Sequence, residues 1–80
     1  MKEYYICKVS NFVNSVDCPG LRIVENDIVK YLGQDILTYN GISMDVFMFE
    51  TTCLFHYRFY VYSCNMFCFE KICIKNVPSI

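Results

Sequence analysis

From Val46 onward the chain has little choice but to form strands, and those strands are apolar on both parities. Segments 46–50 (VFMFE), 54–62 (LFHYRFYVY) and 66–75 (MFCFEKICIK) are dense in Phe, Tyr, Val and Ile, the side chains that fit a pleated surface. A strand with one face in water alternates apolar and polar residues. These segments do not, so the sheet they build is expected to be covered on both faces. Thr51-Thr52 and Ser63-Cys64-Asn65 are the candidate reversals between them.

Covering such a sheet within 80 residues is difficult. A chain of this length makes one small domain, here residues 1–80, near the lower limit for a single core. Yet 55% of its residues are hydrophobic and 18% are aromatic, against an apolar share of about 45–50% in ordinary globular proteins. Some of that apolar surface is therefore expected to meet a partner, either another copy or a larger assembly.

The first part of the chain reads differently. Residues 3–9 alternate around Tyr, Ile, Cys and Val and predict a strand, with a short Phe12-Val13 piece set among the turn-forming SN, NS and DCPG. Over residues 23–37 the spacing predicts a helix. Ile28, Val29, Leu32 and Ile36 fall on one arc at helical periodicity, with Lys30, Gln34 and Asp35 elsewhere. Glu25, Asn26 and Asp27 would accept from its first free amides, and Asn40-Gly41 would end it. Gly33 inside such a helix costs about 1 kcal/mol relative to Ala. The expected fold class is therefore α+β: an N-terminal strand, one helix packed on a small antiparallel sheet, and a β-rich C-terminal half.

Charge and motif content narrow the chemistry. A formal net charge of −1 from seven basic and eight acidic residues lacks the basic patch of a free-standing nucleic-acid binder. Residues 1–12 (MKEYYICKVSNF) show no apolar signal-peptide region, and the longest charge-free stretch, residues 59–69, is too short for a spanning helix. A cytoplasmic protein with reduced cysteines and no membrane contact is expected.

The stretch 56–73 (HYRFYVYSCNMFCFEKIC) gathers one His and three Cys. Zinc needs four Cys or His aimed at one point, usually as close pairs. Cys64 and Cys68 form one pair without the Gly or Pro of a knuckle, and Cys53 with His56 and the isolated Cys73 do not make a second. The expected reading is small buried thiols in a sheet, with no metal and no cofactor. Cross-strand disulfides such as Cys53 with Cys64 lack an oxidising context. Nucleophilic catalysis would need a Cys beside His56 and an orienting carboxylate, and no phosphate-cradling loop is present, so no catalytic residue and no enzymatic activity are expected. The cluster Phe55, Tyr57, Phe59, Tyr60 and Tyr62 around Arg58 could stack on bases, but with so few neighbouring cations it reads as core and partner interface, the interface residues being Phe55, Tyr57, Tyr60 and Tyr62.

The span IVENDIVKYLGQDILTYNG (residues 23–41) resembles the helix of the eukaryote-specific ribosomal protein twenty-two of the large subunit. The matching positions are Glu25, Val29, Leu32, Gln34, Asp35, Leu37, Tyr39, Asn40 and Gly41. DVFMFE and FYVYSCNMF resemble that family's following strands, and FVNSVDCPG its preceding strand and turn. The family's Gly-rich loop is shortened here to ISMD, and its basic helix is replaced by CFEKICIKNVPSI. The resemblance implies a reduced, nonenzymatic ribosomal subunit docked on rRNA and neighbouring ribosomal proteins. RNA contacts would then fall to Lys30, Arg58, Lys71 and Lys75, long cations able to reach phosphates. YLGQDILTYNG, FHYRF and ICIKN also resemble parts of Sm-type RNA-ring proteins, which would imply an RNA-binding homo-oligomer. A third class, a small viral or phage protein that binds and blocks a host factor, fits the aromatic-rich, motif-free composition.

The zinc question has a direct check. Adding a chelator is expected to leave the thermal midpoint unchanged, and a large loss of stability on chelation would assign these thiols to a metal.

Overall fold

The helix expected over residues 23–37 is absent, and residues 28–37 fall instead in the longest strand among the described residues. The computed structural model describes residues 2–73; Lys75, one of the expected RNA contacts, lies outside them. Seven strands follow in chain order: β1 (Glu3–Cys7), β2 (Asn11–Phe12), β3 (Arg22–Ile23), β4 (Ile28–Tyr39), β5 (Ile42–Thr51), β6 (Arg58–Tyr62) and β7 (Phe69–Ile72). The one helical element among the described residues is a 3-10 helix, Ser63–Cys68, between β6 and β7. The α+β expectation is thus overturned: the described residues are mostly strand, and no α-helix among them packs on the sheet.

The reason lies at Gly33. β4 pairs with β5 in regular antiparallel register on either side of a bulge, Tyr31 opposite Phe49 and Gly33 opposite Met48, so that Leu32 is an extra residue. One extra residue shifts the two-residue alternation by one, which spreads Val29, Leu32 and Ile36 into the spacing of a helical face. Gly33 has φ of 130°, a conformation open to glycine and strained for other residues. Asn40 and Gly41, with φ of 51° and 78°, do not stop a helix. They are the central residues of a two-residue hairpin, whose favoured turn requires positive φ at both positions. Glu25, Asn26 and Asp27 form a turn tied to the end of β1, with the Asn26 amide donating to the Cys7 carbonyl at 2.8 Å and the Cys7 amide to the Asp27 carbonyl at 2.8 Å.

Five strands make one antiparallel sheet in the order β6-β5-β4-β1-β7, and β2 and β3 form a separate pair. In a flat sheet β6 and β7 would stand about 19 Å apart. Instead the Phe59 and Phe69 rings, one from each edge strand, have centroids 6.5 Å apart. The sheet has curled over its own inner face into a small, partly open barrel, and the 3-10 helix carries the chain across the gap.

Inside lie Cys7, Val13, Ile23, Val29, Phe49, Phe59, Val61, Cys68 and Phe69. Phe49 is 0% exposed and central: its ring stacks on Phe59 and on Phe69, each at 5.5 Å, and meets Tyr5 edge-on at 5.2 Å. The excursion between β1 and β4 supplies the lid, with Val13 and Ile23 reaching into the core. It also covers the β6 edge. The Tyr60 amide donates to the Asn14 carbonyl at 2.9 Å, Ser15 Oγ to the Arg58 carbonyl at 2.6 Å, and the Arg58 amide to Asp17 Oδ2 at 3.0 Å. These bonds occupy groups that would otherwise template pairing with another chain.

Phe49→Ala is expected to cost about 3–5 kcal/mol, a large share of the ~5–15 kcal/mol that holds a small domain together. Its cooperative thermal transition should be lost or strongly lowered by circular dichroism. Phe12→Ala, at a side chain 74% exposed, should stay within about 0.5 kcal/mol of the parent; similar losses in both would contradict a core centred on Phe49.

Candidate protein interface

Beyond the barrel, β4 and β5 continue as a two-stranded arm, and the molecule extends 43 Å along its long axis against 24 and 20 Å across. The register decides what each face of this arm carries. Asp35, Leu37 and Tyr39 lie opposite Val46, Met44 and Ile42, whereas Gln34, Ile36 and Thr38 lie opposite Phe47, Asp45 and Ser43. Directly opposed residues point the same way. The first set therefore forms an apolar face interrupted by one carboxylate. The second is polar toward the tip, where the Thr38 and Ser43 hydroxyls are 3.1 Å apart.

The apolar face is exposed: Tyr39 is 79% and Ile42 66% accessible. Toward the barrel it continues over Val46, fully buried yet outside the main core, to Met48, Tyr60 and Tyr62, which share its parity through the pairs Val46–Tyr62 and Met48–Tyr60. Tyr60 and Tyr62 meet edge to face at 5.7 Å. Burial, and then the neighbouring Tyr62 phenol, push the Tyr60 phenol pKa upward.

The expected interface residues divide into two pairs. Tyr60 and Tyr62 belong to this outward strip. Phe55 and Tyr57 lie in the loop 52–57 between β5 and β6, stacked on each other at 5.9 Å, with the neighbouring Leu54 also exposed. Residues 54–57, expected to be strand, are loop, and Thr51 is what shapes it. Its buried hydroxyl donates to the Phe55 carbonyl at 2.7 Å and accepts from the Tyr57 amide at 2.8 Å.

The expected RNA contacts do not converge. Lys30 and Arg58 flank Glu50 across three strands on the outward face, with Arg58 Nε 3.6 Å from Glu50 Oε2 and His56 Nδ1 3.8 Å from Glu50 Oε1. Lys71 has the opposite parity, level with Tyr5, and its ammonium donates to Glu3 at 2.7 Å. That hydrogen bond raises the Lys71 pKa. Arg58 and Lys71 thus already face carboxylates, and Lys30 lies opposite one.

The thiols also differ from expectation. Cys64 and Cys68 are in the 3-10 helix rather than a strand, and Cys53, Cys64 and Cys73 are exposed. Cys7 and Cys68 are buried, and burial pushes the Cys7 thiol pKa up. All six are free, and no group of three or more His, Cys, Asp or Glu among the described residues is arranged to hold a metal ion. No helix among these residues is long and apolar enough to cross a membrane. A small pocket beside Ile23, Ile28, Thr51 and Cys53 opens with Arg22 and Asp27 at its wall.

Sequence reasoning did not bring Leu37, Tyr39, Ile42 and Met44 to one face, because the helix assignment ended at this point. The available signal was Asn-Gly flanked by apolar residues, a strong hairpin signature. No protein-family model, curated protein or solved structure matches the chain.

Native-state alkylation with iodoacetamide should modify Cys53 and Cys64 quickly, and Cys7 and Cys68 only on unfolding. Peptide mapping by mass spectrometry reads the order, and early modification of Cys68 would remove it from the core.

Proposed function

We propose that this protein is a nonenzymatic interaction module of the cytoplasm, a subunit of a larger protein assembly that it joins through the apolar face of the β4–β5 arm. The observation that carries this reading is the register, which brings Leu37, Met44, Tyr39 and Ile42 to one face, where Leu37 is half-buried and the other three are exposed. Contiguous exposed apolar surface rimmed by polar residues marks contact sites, and aromatic residues and Met are enriched in the buried centres of interfaces. The Tyr60–Tyr62 end of the strip supplies further area on the barrel itself.

Charge supports a protein partner over RNA. Arg58 and Lys71 face Glu50 and Glu3, so an RNA backbone would have to compete with carboxylates already in place. The segment that carries the ribosomal resemblance is strand and hairpin rather than the helix it resembles.

Affinity purification of the intact chain from its native source, with nuclease treatment, tests the reading against a Leu37→Asp, Ile42→Asp double variant. A protein that is retained through nuclease and released by the variant, while the thermal midpoint holds within a few degrees, is the expected result. Retention of RNA alone, or a partner held equally by both chains, would refute it.

A further inference from the structure

Resting on the docking role of the arm, we infer that the partner surface it fits is apolar and carries Lys or Arg opposite Asp35. From Tyr31 to Phe55 the chain has three carboxylates, Asp35, Asp45 and Glu50, and no Lys or Arg. Glu50 is engaged by Arg58 and His56, whereas neither arm aspartate forms an ion pair among the described residues.

The two aspartates are not equivalent. Asp35 shares the apolar face with Leu37, Tyr39, Ile42 and Met44, and Asp45 points to the opposite side beside Ile36. A partner laid on the apolar face would desolvate Asp35, and a carboxylate taken out of water without a cation is costly. Its only internal hydrogen bond among the described residues comes from the adjacent Ile36 amide, at 2.8 Å to Oδ1, which leaves Oδ2 free to accept from a partner's ammonium or guanidinium. The same reasoning disfavours a second copy in this place. A two-fold contact between apolar faces would bury each Asp35 against an arm that carries no Lys or Arg, and a carboxylate desolvated without a cation costs free energy. RNA carries the wrong sign altogether.

The test uses the intact chain and defined probes, read by amide resonance shifts. A short amphipathic Leu/Lys peptide, its Leu/Glu counterpart, and oligo-uridine are titrated separately. The Leu/Lys peptide is expected to shift the amides of residues 35–46, to weaken in high salt, and to lose about two- to fivefold in affinity with Asp35→Asn. Asp35→Asn keeps the oxygen that accepts from Ile36. Asp45→Asn, on the other face, is expected to change affinity less. Equal binding of the Leu/Glu peptide at the arm, or equal effects of the two Asn variants, would overturn the basic partner while leaving the docking role intact. Arm shifts with oligo-uridine, arm resonances that broaden with protein concentration alone, or Leu/Lys shifts confined to other residues would overturn the inference together with the role on which it rests.

Discussion

The packing of Phe49 against Phe59 and Phe69 is the contact on which the rest depends. Neither neighbour is close in sequence, and Phe69 comes from the far edge of the sheet. Ring stacking across those edges is possible only when the sheet is curled, and the curl separates an inner parity that fills the core from an outer parity that meets the surroundings. Once that division exists, the excursion from β1 to β4 has a cavity to close with Val13 and Ile23 and an edge to cover with Asn14, Ser15 and Asp17.

The curl also resolves why both parities of the C-terminal strands are apolar. The sequence suggests a sheet sandwiched between two layers. In the structure the inner residues of β5 and β6, such as Phe49, Phe59 and Val61, fill one core, while Met48, Tyr60 and Tyr62 form the outer strip. Eighty residues can bury one face by closing a sheet on itself, and the other face is left to be covered from outside.

Legibility followed the length over which a pattern stays in phase. β1 keeps its alternation and was readable within a few residues, and the 46–50 part of β5 was readable from its strand-forming side chains, though not its start at Ile42. β4 loses its alternation, because the bulge breaks its phase and the broken pattern matches a helical arc. Two clues pointed the other way: Gly33, unfavourable within a helix and at home in a bulge, and Asn40-Gly41, which serves a helix end or a hairpin equally well until the flanking residues are weighed. The loop 52–57 was hidden for another reason. Its aromatic residues have high strand propensity, and what holds them out of a strand is the buried Thr51 hydroxyl, a tertiary contact with no local signature. Of the candidate site, Tyr60 and Tyr62 were legible from composition, while the arm face required the register.

The bulge at Leu32 has one more consequence, which concerns chain length. Had β4 continued from the Tyr31–Phe49 pair without it, Asp35 would stand directly opposite Asp45, Ile36 opposite Met44 and Leu37 opposite Ser43, and Tyr39 would meet Gly41, leaving no two-residue turn. Like charges in directly opposed positions destabilise a ladder, and the apolar residues of the two strands would be dealt to different sides. The two-residue turn at Asn40-Gly41 sets the register of the arm, and the bulge at Leu32 absorbs the residue that this register leaves over. Removing Leu32 would shorten the strand without disturbing the pairing outward from Gly33. The sidedness of the arm follows from that register rather than from the identity of any single side chain.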